Sequence, residues 1–394
     1  GCVQRMDYDQ AVAQGRILLM GKETDEAFLG EVLNMVNDRA CVAQVADRFS
    51  LVYTPFHGTG YQLIPEALKR LGLKHILCVP EQMVIDGNFP TVVSPNPENP
   101  EGFALAVELA KKNRCDLIVG SDPDADRVGV MVRNAQGEYE VLSGNQTGVL
   151  LLDYLIGAKK RAGTLGEDAY ALTTIVSTQM VDKICAVNHI HTARTFTGFK
   201  FLAEKKDALE GAGQGKVFFA FEESFGYMLG DYVRDKDAVT AIVLIAEMAA
   251  WYASQDKTLY DALQECYAKY GHYGESTINL VMPGLDGMRD MAAIMEQLHK
   301  VPLTEVAGTA VTAQKDYLSG TVTDPANGVV TPMELKDSNV VAYDLADGTT
   351  FIIRPSGTEP KIKVYVLTHG ASQAECDEKL VKYTAFADVI KTMA

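Results

Sequence analysis

Ser121-Asp122-Pro123-Asp124-Ala125-Asp126-Arg127 places carboxylates at every second position of a short segment. In extended backbone, side chains at i, i+2 and i+4 leave on the same side. Three aspartates arranged so repel one another unless a cation sits between them. Hard oxygen donors suit Mg²⁺, with Ca²⁺ and Mn²⁺ as less selective alternatives. An EF-hand requires Gly at loop position 6 and Glu at position 12. Arg127 and Arg133 stand there, which excludes it. A solvated acidic turn is the competing reading, and the flanking sequence argues against it.

That flank reads as alternating strands and helices. Cys115–Gly120 is a short apolar run ending at the Asp segment, preceded by a helical stretch from Glu101 to Lys112. Further upstream, Leu51–Thr54 reads as a strand, Pro55–Gly60 as a turn, Tyr61–Arg70 as a helix closed by Gly72, and Lys74–Pro80 as a strand. Such alternation predicts a parallel sheet. Ligands of such sheets bind beyond the carboxyl ends of the strands, where the Asp segment lies.

The 394-residue chain exceeds one ordinary domain. Its 47% hydrophobic and 22% charged residues are those of a soluble globular protein, and no apolar run reaches membrane-spanning length. A net charge of -16 argues against nucleic acid as a partner. The seven Cys are scattered without a CxxC pair, so they read as free thiols of a reducing cytoplasm. No signal peptide is present. The chain begins at Gly1 and its first Met is Met6, which reads as a processed or excised start.

Three segments separate by pattern. The first ends in a helix from Gln146 to Ala158 and a basic linker, Lys159-Lys160-Arg161-Ala162-Gly163. The second opens with the strand Ala169–Val176 and runs through two amphipathic helices to about Tyr270. The third alternates strands and helices and closes with a helix from Gln373.

Two further loops carry chemistry. Arg354-Pro355-Ser356-Gly357-Thr358-Glu359-Pro360-Lys361 lies between the strands Thr349–Ile353 and Ile362–Thr368. Hydroxyls, a turn glycine and an Arg make an anion nest, and the reading is a phosphate clamp. Lys361 and Lys363 share one strand face, with Ile362 and Val364 on the other. Phe221-Glu222-Glu223-Ser224-Phe225-Gly226-Tyr227 follows the strand Val217–Ala220, with Gly226 for the turn. Its carboxylates and hydroxyl suit sugar hydroxyls, although an acidic helix start explains it about as well. Thr197-Gly198-Phe199-Lys200 is a turn into a helix whose Lys faces a cleft or water. His57, beside Gly58, reads as a turn residue and not as a base.

Together these loops resemble the α-D-phosphohexomutase superfamily. Its members carry a D-x-D-x-D-R metal loop, an E-x-S-x-G sugar loop and an R-x-S-G-T phosphate loop in their second, third and fourth domains. The Glu-Glu-Ser-Phe-Gly form and the Thr-Gly-Phe-Lys turn resemble the phosphoglucomutase branch, and the G-E-M-S-G-H loop of phosphomannomutase-type members is absent. The resemblance implies two consecutive α/β/α sandwich domains with mixed, mostly parallel sheets and a C-terminal α+β domain. The boundaries are 21–163, 164–270 and 271–394, with 1–20 a remnant of, or linker from, a first domain.

By the same resemblance, Mg²⁺ sits on Asp122, Asp124 and Asp126, and Arg127 adds a catalytic cation. Lys200 serves as proton donor or charge stabiliser. Glu222 and Ser224 grip ring hydroxyls. Arg354, Ser356, Gly357 and Thr358 hold phosphate, with Lys361 or Lys363 in support. The activity implied is interconversion of hexose 1-phosphate and hexose 6-phosphate through a phosphoserine, with glucose 1,6-bisphosphate as intermediate and activator. No T-A-S-H-N-P loop bearing that serine occurs in the 394 residues; Ser94-Pro95-Asn96-Pro97 lacks its His. The chain therefore reads as domains two to four of a longer enzyme, inactive alone. Phosphomannomutase or phosphopentomutase activity, a non-catalytic sugar-phosphate binding protein and an unrelated Mg²⁺ phosphatase are the alternatives.

Overall fold

The computed structural model describes residues 3–282, 286–357 and 359–393. After helix α1 (Tyr8–Ala13), α2 (Lys22–Asn34) and α3 (Arg39–Val45) lead into a first sheet. Its strands are β1 (Ser50–Thr54), β2 (His75–Cys78), β3 (Leu117–Ser121), β4 (Val128–Arg133) and β5 (Tyr139–Leu142), in the order β2-β1-β3-β4-β5. Strand β1 runs parallel to both β2 and β3, while β4 and β5 are antiparallel. Helices α4 (Leu63–Leu71) and α5 (Ala104–Asn113) make the parallel crossovers. The helix expected from Glu101 begins as a 3₁₀ turn, Pro100–Phe103.

Helix α6 (Gly144–Ala162) follows. The expected basic linker is its last turn, with Gly163 as the left-handed cap. Three cations there complement the negative end of the helix dipole, a local reason for a basic run that needs no linker.

The second sheet repeats the first motif with the order β7-β6-β8-β9. It comprises β6 (Ala169–Thr174), β7 (His191–Thr195), β8 (Lys216–Glu222) and β9 (Gly226–Leu229). Strand β6 is parallel to β7 and β8, and β9 turns back on β8. Four helices accompany it instead of two amphipathic ones: α7 (Met180–Asn188), α8 (Phe199–Gly211), α9 (Ala238–Ala253) and α10 (Leu259–Tyr270). Helix α9 is buried on nearly every face, because it packs on α3, α4 and β9 together. A single apolar core therefore runs from Leu29 to Tyr270 through both sheets.

The C-terminal part is an antiparallel sheet ordered β10-β17-β16-β15-β12-β13-β14. Its strands are β10 (His272–Val281), β11 (Glu305–Val306), β12 (Thr309–Asp316), β13 (Thr321–Thr323), β14 (Val330–Pro332), β15 (Val341–Leu345), β16 (Thr350–Pro355) and β17 (Lys361–Gly370), with β11 paired to β12. Helices α11 (Gly287–Lys300) and α12 (Gln373–Ile390) cover one face around their own core. The other face meets the second unit through an apolar patch that includes Ile175, Val176, Tyr317, Ile352 and Tyr365. The chain is thus two fused α/β/α layers and a C-terminal α+β unit. Among the described residues the six remaining Cys are free thiols, and no helix is long and apolar enough to cross a membrane.

One buried carboxylate ties the first helices to α9. Glu247 accepts the N–H groups of Asn37 and Asp38, at 2.8 and 2.5 Å, and the Tyr154 hydroxyl at 2.9 Å. Burial pushes its carboxyl upward, and these donors oppose the shift. Glu247→Ala should destabilise the chain by roughly 2–4 kcal/mol, because three buried donors lose their acceptor. Glu247→Gln, which keeps one acceptor oxygen, should cost less than half as much. Urea unfolding of the two variants measures both.

Candidate active site

The Asp segment follows β3 at the carboxyl end of the parallel strands, but it is a tight turn and not an extended strand. Ala125 takes φ 58°, and its N–H bonds the Asp122 carbonyl at 3.1 Å. Asp122 Oδ1 accepts the N–H groups of Asp126 and Arg127 at 3.0 and 2.9 Å. The turn, and not a period of two, brings carboxylate oxygens of Asp122, Asp124 and Asp126 within 4.8 Å of one another.

Neighbours fix this turn from several sides. Thr59 donates its N–H to the Pro123 carbonyl at 2.8 Å, and the α9 N-terminus donates from Ala238 to Ala125 at 3.0 Å. Gly58 is required because a Cβ there would stand 2.3 Å from the Pro123 Cα. His57, held by Val84 O and Thr91 Oγ1 at 2.9 Å each, buttresses the neighbouring turn.

The electrostatics suit a divalent cation. Burial pushes the Asp122 carboxyl up to about 7, and the charges of Asp126 and Asp124 add to the shift. Arg127 Nε lies 3.8 Å from both Asp122 and Asp126, and its Nη1 is 3.3 Å from Glu98. Lys236 Nζ stands 2.9 Å from Asp126 and 5.1 Å above the Phe199 ring. Three carboxylates converge with two partial counter-cations, and their all-oxygen donor set is that of a hard metal.

The sugar loop docks directly on the metal turn. Val128 donates its N–H to Phe225 O at 2.9 Å, and Arg127 forms a β-bridge with Gly226. The turning residue is Phe225, at φ 67°, and not Gly226. Gly226 serves close approach instead, since a Cβ there would meet Lys236 Cδ at 2.2 Å. Glu222, at the end of β8, accepts the Gly198 N–H. Burial raises its pKa, against the nearby charges of Lys236 and Arg127. Ser224 is half-buried on the connection. Glu223 turns away, its Oε2 accepting the hydroxyls of Thr174 and Ser177 at 3.1 Å each.

The phosphate loop approaches from the C-terminal sheet. Arg354 stands opposite Lys363 in register, with Nη1 3.3 Å from the Tyr365 hydroxyl. Burial pushes Tyr365 up to about 12, with the charges of Glu223 and Glu222 adding to it. Ser356 accepts the Glu359 N–H at 3.3 Å, and Gly357 is exposed. Thr358 lies outside the described residues. Lys361 is committed to an ion pair with Glu359, whereas the charge of Lys363 opposes the upward shift that burial gives Glu223. Arg354, Ser356, Gly357, Met291 and Met295 border a cavity of about 370 Å³.

Lys200 is exposed on the first turn of α8, its Nζ 4.7 Å from the Phe201 ring. Among the described residues it makes no ion pair with the Asp turn. Lys236 takes that place, and sequence reasoning missed it. Its signal was a lone cation between Asp235 and Asp237, directly before the α9 cap. Tyr365 and Glu98 gave no signal, because only the sheet face and the loop path bring them in.

Comparison with known proteins follows the same division. Residues 27–137 match phosphoglucomutase/phosphomannomutase alpha/beta/alpha domain II, residues 143–270 match domain III, and residues 278–379 match the C-terminal domain. A phosphoglucomutase of Staphylococcus aureus strain MRSA252 is 36% identical over 316 residues, 80% of this chain and 56% of the relative. The chain therefore spans about half the length of such curated relatives. The open form of the Paramecium phosphoglucomutase parafusin aligns at TM-score 0.63 and 17% identity, covering 94% of this chain and 62% of that one. An Aspergillus fumigatus N-acetylphosphoglucosamine mutase, solved with GlcNAc-6P and magnesium, aligns at 0.51 and 14% identity over 91% and 65%. At these identities the structural likeness concerns the fold.

A carboxyl raised by folding stabilises the fold below its ordinary pKa, near 3.8 for Asp122, and that contribution is lost as pH rises through about 7. At pH 8 without metal, Asp122→Asn should therefore melt above the parent chain. Mg²⁺ at a hundredfold excess over its Kd should raise the parent midpoint by a few degrees. It should leave Asp124→Asn/Asp126→Asn unchanged. Scanning calorimetry at pH 6 and pH 8 reads both effects.

Proposed function

Because the chain belongs to the phosphoglucomutase/phosphomannomutase family, we propose that it carries the metal, sugar and phosphate loops of a phosphohexomutase of the glucose type. The observation that carries this is the docking of the sugar loop on the Asp turn, where Arg127 bridges Gly226. Arg354 reaches Tyr365, which shares an apolar patch with Ile175 and Val176 of the loop that holds Glu223. The reaction moves a phosphoryl group from a phosphoserine to the free hydroxyl of a hexose monophosphate. One P–O bond breaks at the serine and another forms at C1 or C6, and the hydroxyl gives up its proton.

Asp122, Asp124 and Asp126 would hold Mg²⁺, which when bound offsets charge on the transferring phosphoryl group. Arg127 and Lys236 place two further positive charges beside it. Glu222 and Ser224 accept and donate to ring hydroxyls, which present similar patterns when the sugar binds in either direction. Arg354, with Lys363 beside it, grips the phosphate that is not reacting, and Arg is suited to this as a planar bidentate fork. Lys200 is left for proton carriage at the sugar end of the cleft. The Glu-Glu-Ser-Phe-Gly form of the sugar loop supports glucose over mannose phosphates. The phosphoserine itself is supplied from outside these 394 residues, so the chain alone binds hexose phosphates without isomerising them.

Calorimetry with glucose 1-phosphate tests the clamp. Arg354→Ala should weaken binding about 10-fold or more, and Arg354→Lys should not restore it. Glu222→Gln should weaken glucose 1-phosphate and leave inorganic phosphate unaffected. Conversion of glucose 1-phosphate to glucose 6-phosphate by the highly purified chain, with Mg²⁺ and glucose 1,6-bisphosphate, should be absent. Robust turnover would assign the nucleophile to a residue within this chain and overturn the mechanism.

A further inference from the structure

A second cavity, of about 640 Å³, opens where α7 and the loop after β6 face the C-terminal sheet. Its size lies within the range of small-molecule sites, which favour seams between domains. The floor is apolar, made by Ile175, Tyr317, Ile352 and Leu367. The rim carries the cations Lys183, Arg194 and Lys315, with the His369 ring beside them. The rim acid Asp182 and the neighbouring Asp344 are already engaged. Asp182 pairs with Arg194 at 2.7 Å, and Asp344 pairs with Lys315 at 2.6 Å and accepts the Thr350 hydroxyl at 3.0 Å. Among the described residues, the Lys183 ammonium and the His369 ring make no hydrogen bond or ion pair. One uncommitted ammonium and one imidazole with free ring nitrogens, over an apolar floor, suit an anion with a carbon body.

The cavity is not the cleft described above. Thr350 and Ile352 of β16 line it, whereas Arg354 lies beyond them on the same strand, about 13 Å from Thr350 at the usual rise per residue. Tyr365 and Val176 pack in the apolar patch between the two sites.

We propose that this seam cavity is a second binding site, for a small organic phosphate, and that its occupancy sets the angle between the phosphate-loop sheet and the sugar-loop unit. One wall is rigid. Arg194 donates to the carbonyls of Thr174, Ser177 and Thr178 at 2.7–3.0 Å, holding the same loop whose hydroxyls grip Glu223. The other wall is the strand that ends in the phosphate clamp. A direct link between the walls is the Gln179 to Thr350 hydrogen bond at 2.8 Å. A ligand bridging Lys183 of α7 and His369 of β17 adds a second link, and so favours one spacing of the two units. Coupling of this kind is reciprocal. The coupling, though not the site, rests on Arg354 being the phosphate clamp.

The test is calorimetric titration of glycerol 3-phosphate into the full 394-residue chain and three variants. Ala186→Trp fills the cavity from the exposed side of α7, Lys183→Glu reverses one rim charge, and Arg354→Ala disables the clamp. The parent and Arg354→Ala should bind alike, and both seam variants should lose about 10-fold or more. Thermal melts establish that the variants are folded, and if one seam variant is not, the other decides. Saturating glucose 1-phosphate should change the affinity for glycerol 3-phosphate in the parent and not to the same extent in Arg354→Ala, and an equal change in both removes the coupling. Absence of saturable heat in the parent overturns the site. So does loss in Arg354→Ala with retention in the seam variants. Equal affinity for inorganic phosphate overturns the organic class. If Arg354→Ala leaves glucose 1-phosphate binding intact, the clamp fails while the seam site stands.

Discussion

Three carboxylates confined within 4.8 Å are the constraint on which the rest of this structure depends. Left to themselves, such charges drive a loop apart. Here the loop cannot open. Its backbone is bonded to Thr59 on one side and to the start of α9 on another. The next strand carries Arg127 into a bridge with the sugar loop. Burial and mutual repulsion, which raise Asp122, are therefore sustained by packing and await a cation.

That confinement explains why the first two α/β layers are fused. Helix α9 begins one residue after the Asp237 cap, beside Lys236, and runs as a buried rod through the core of both layers. Its first turn holds the metal loop, and its Glu247 holds the turn at Asn37 and Asp38. A shift of one layer against the other would move Lys236 away from Asp126 and break the Arg127–Gly226 bridge.

The C-terminal unit is joined differently. Its core is separate, and its contact with the second unit is a modest apolar patch flanked by a cavity. Interfaces of this kind permit relative motion more readily than a shared core does. The Arg354 loop therefore stands on a unit with its own core, and the Asp turn on the fused layers.

Much of this was legible in the chain because it is local. The β-α alternation, the strand before Asp122 and the Lys361/Lys363 face follow from residue type and spacing, and the reading of the three loops as a set from the family resemblance their motifs carry. Other features were not legible, because they depend on residues distant in sequence. The aspartates converge through a turn stabilised by Asp122's own carboxylate, where periodicity suggested an extended segment. Gly226 is there to make room for Lys236, not to turn the chain. Lys159–Arg161 end a helix, because Gly163 takes the left-handed conformation. The sequence by itself determined which chemical groups are present and on which element each stands, since periodicity and turn residues act over a few positions. Only the tertiary structure decided which cation neutralises Asp126, which lysine acts on Glu223 by its charge and where the two units leave a cavity. Those outcomes depend on distances between elements, which packing sets and spacing along the chain does not.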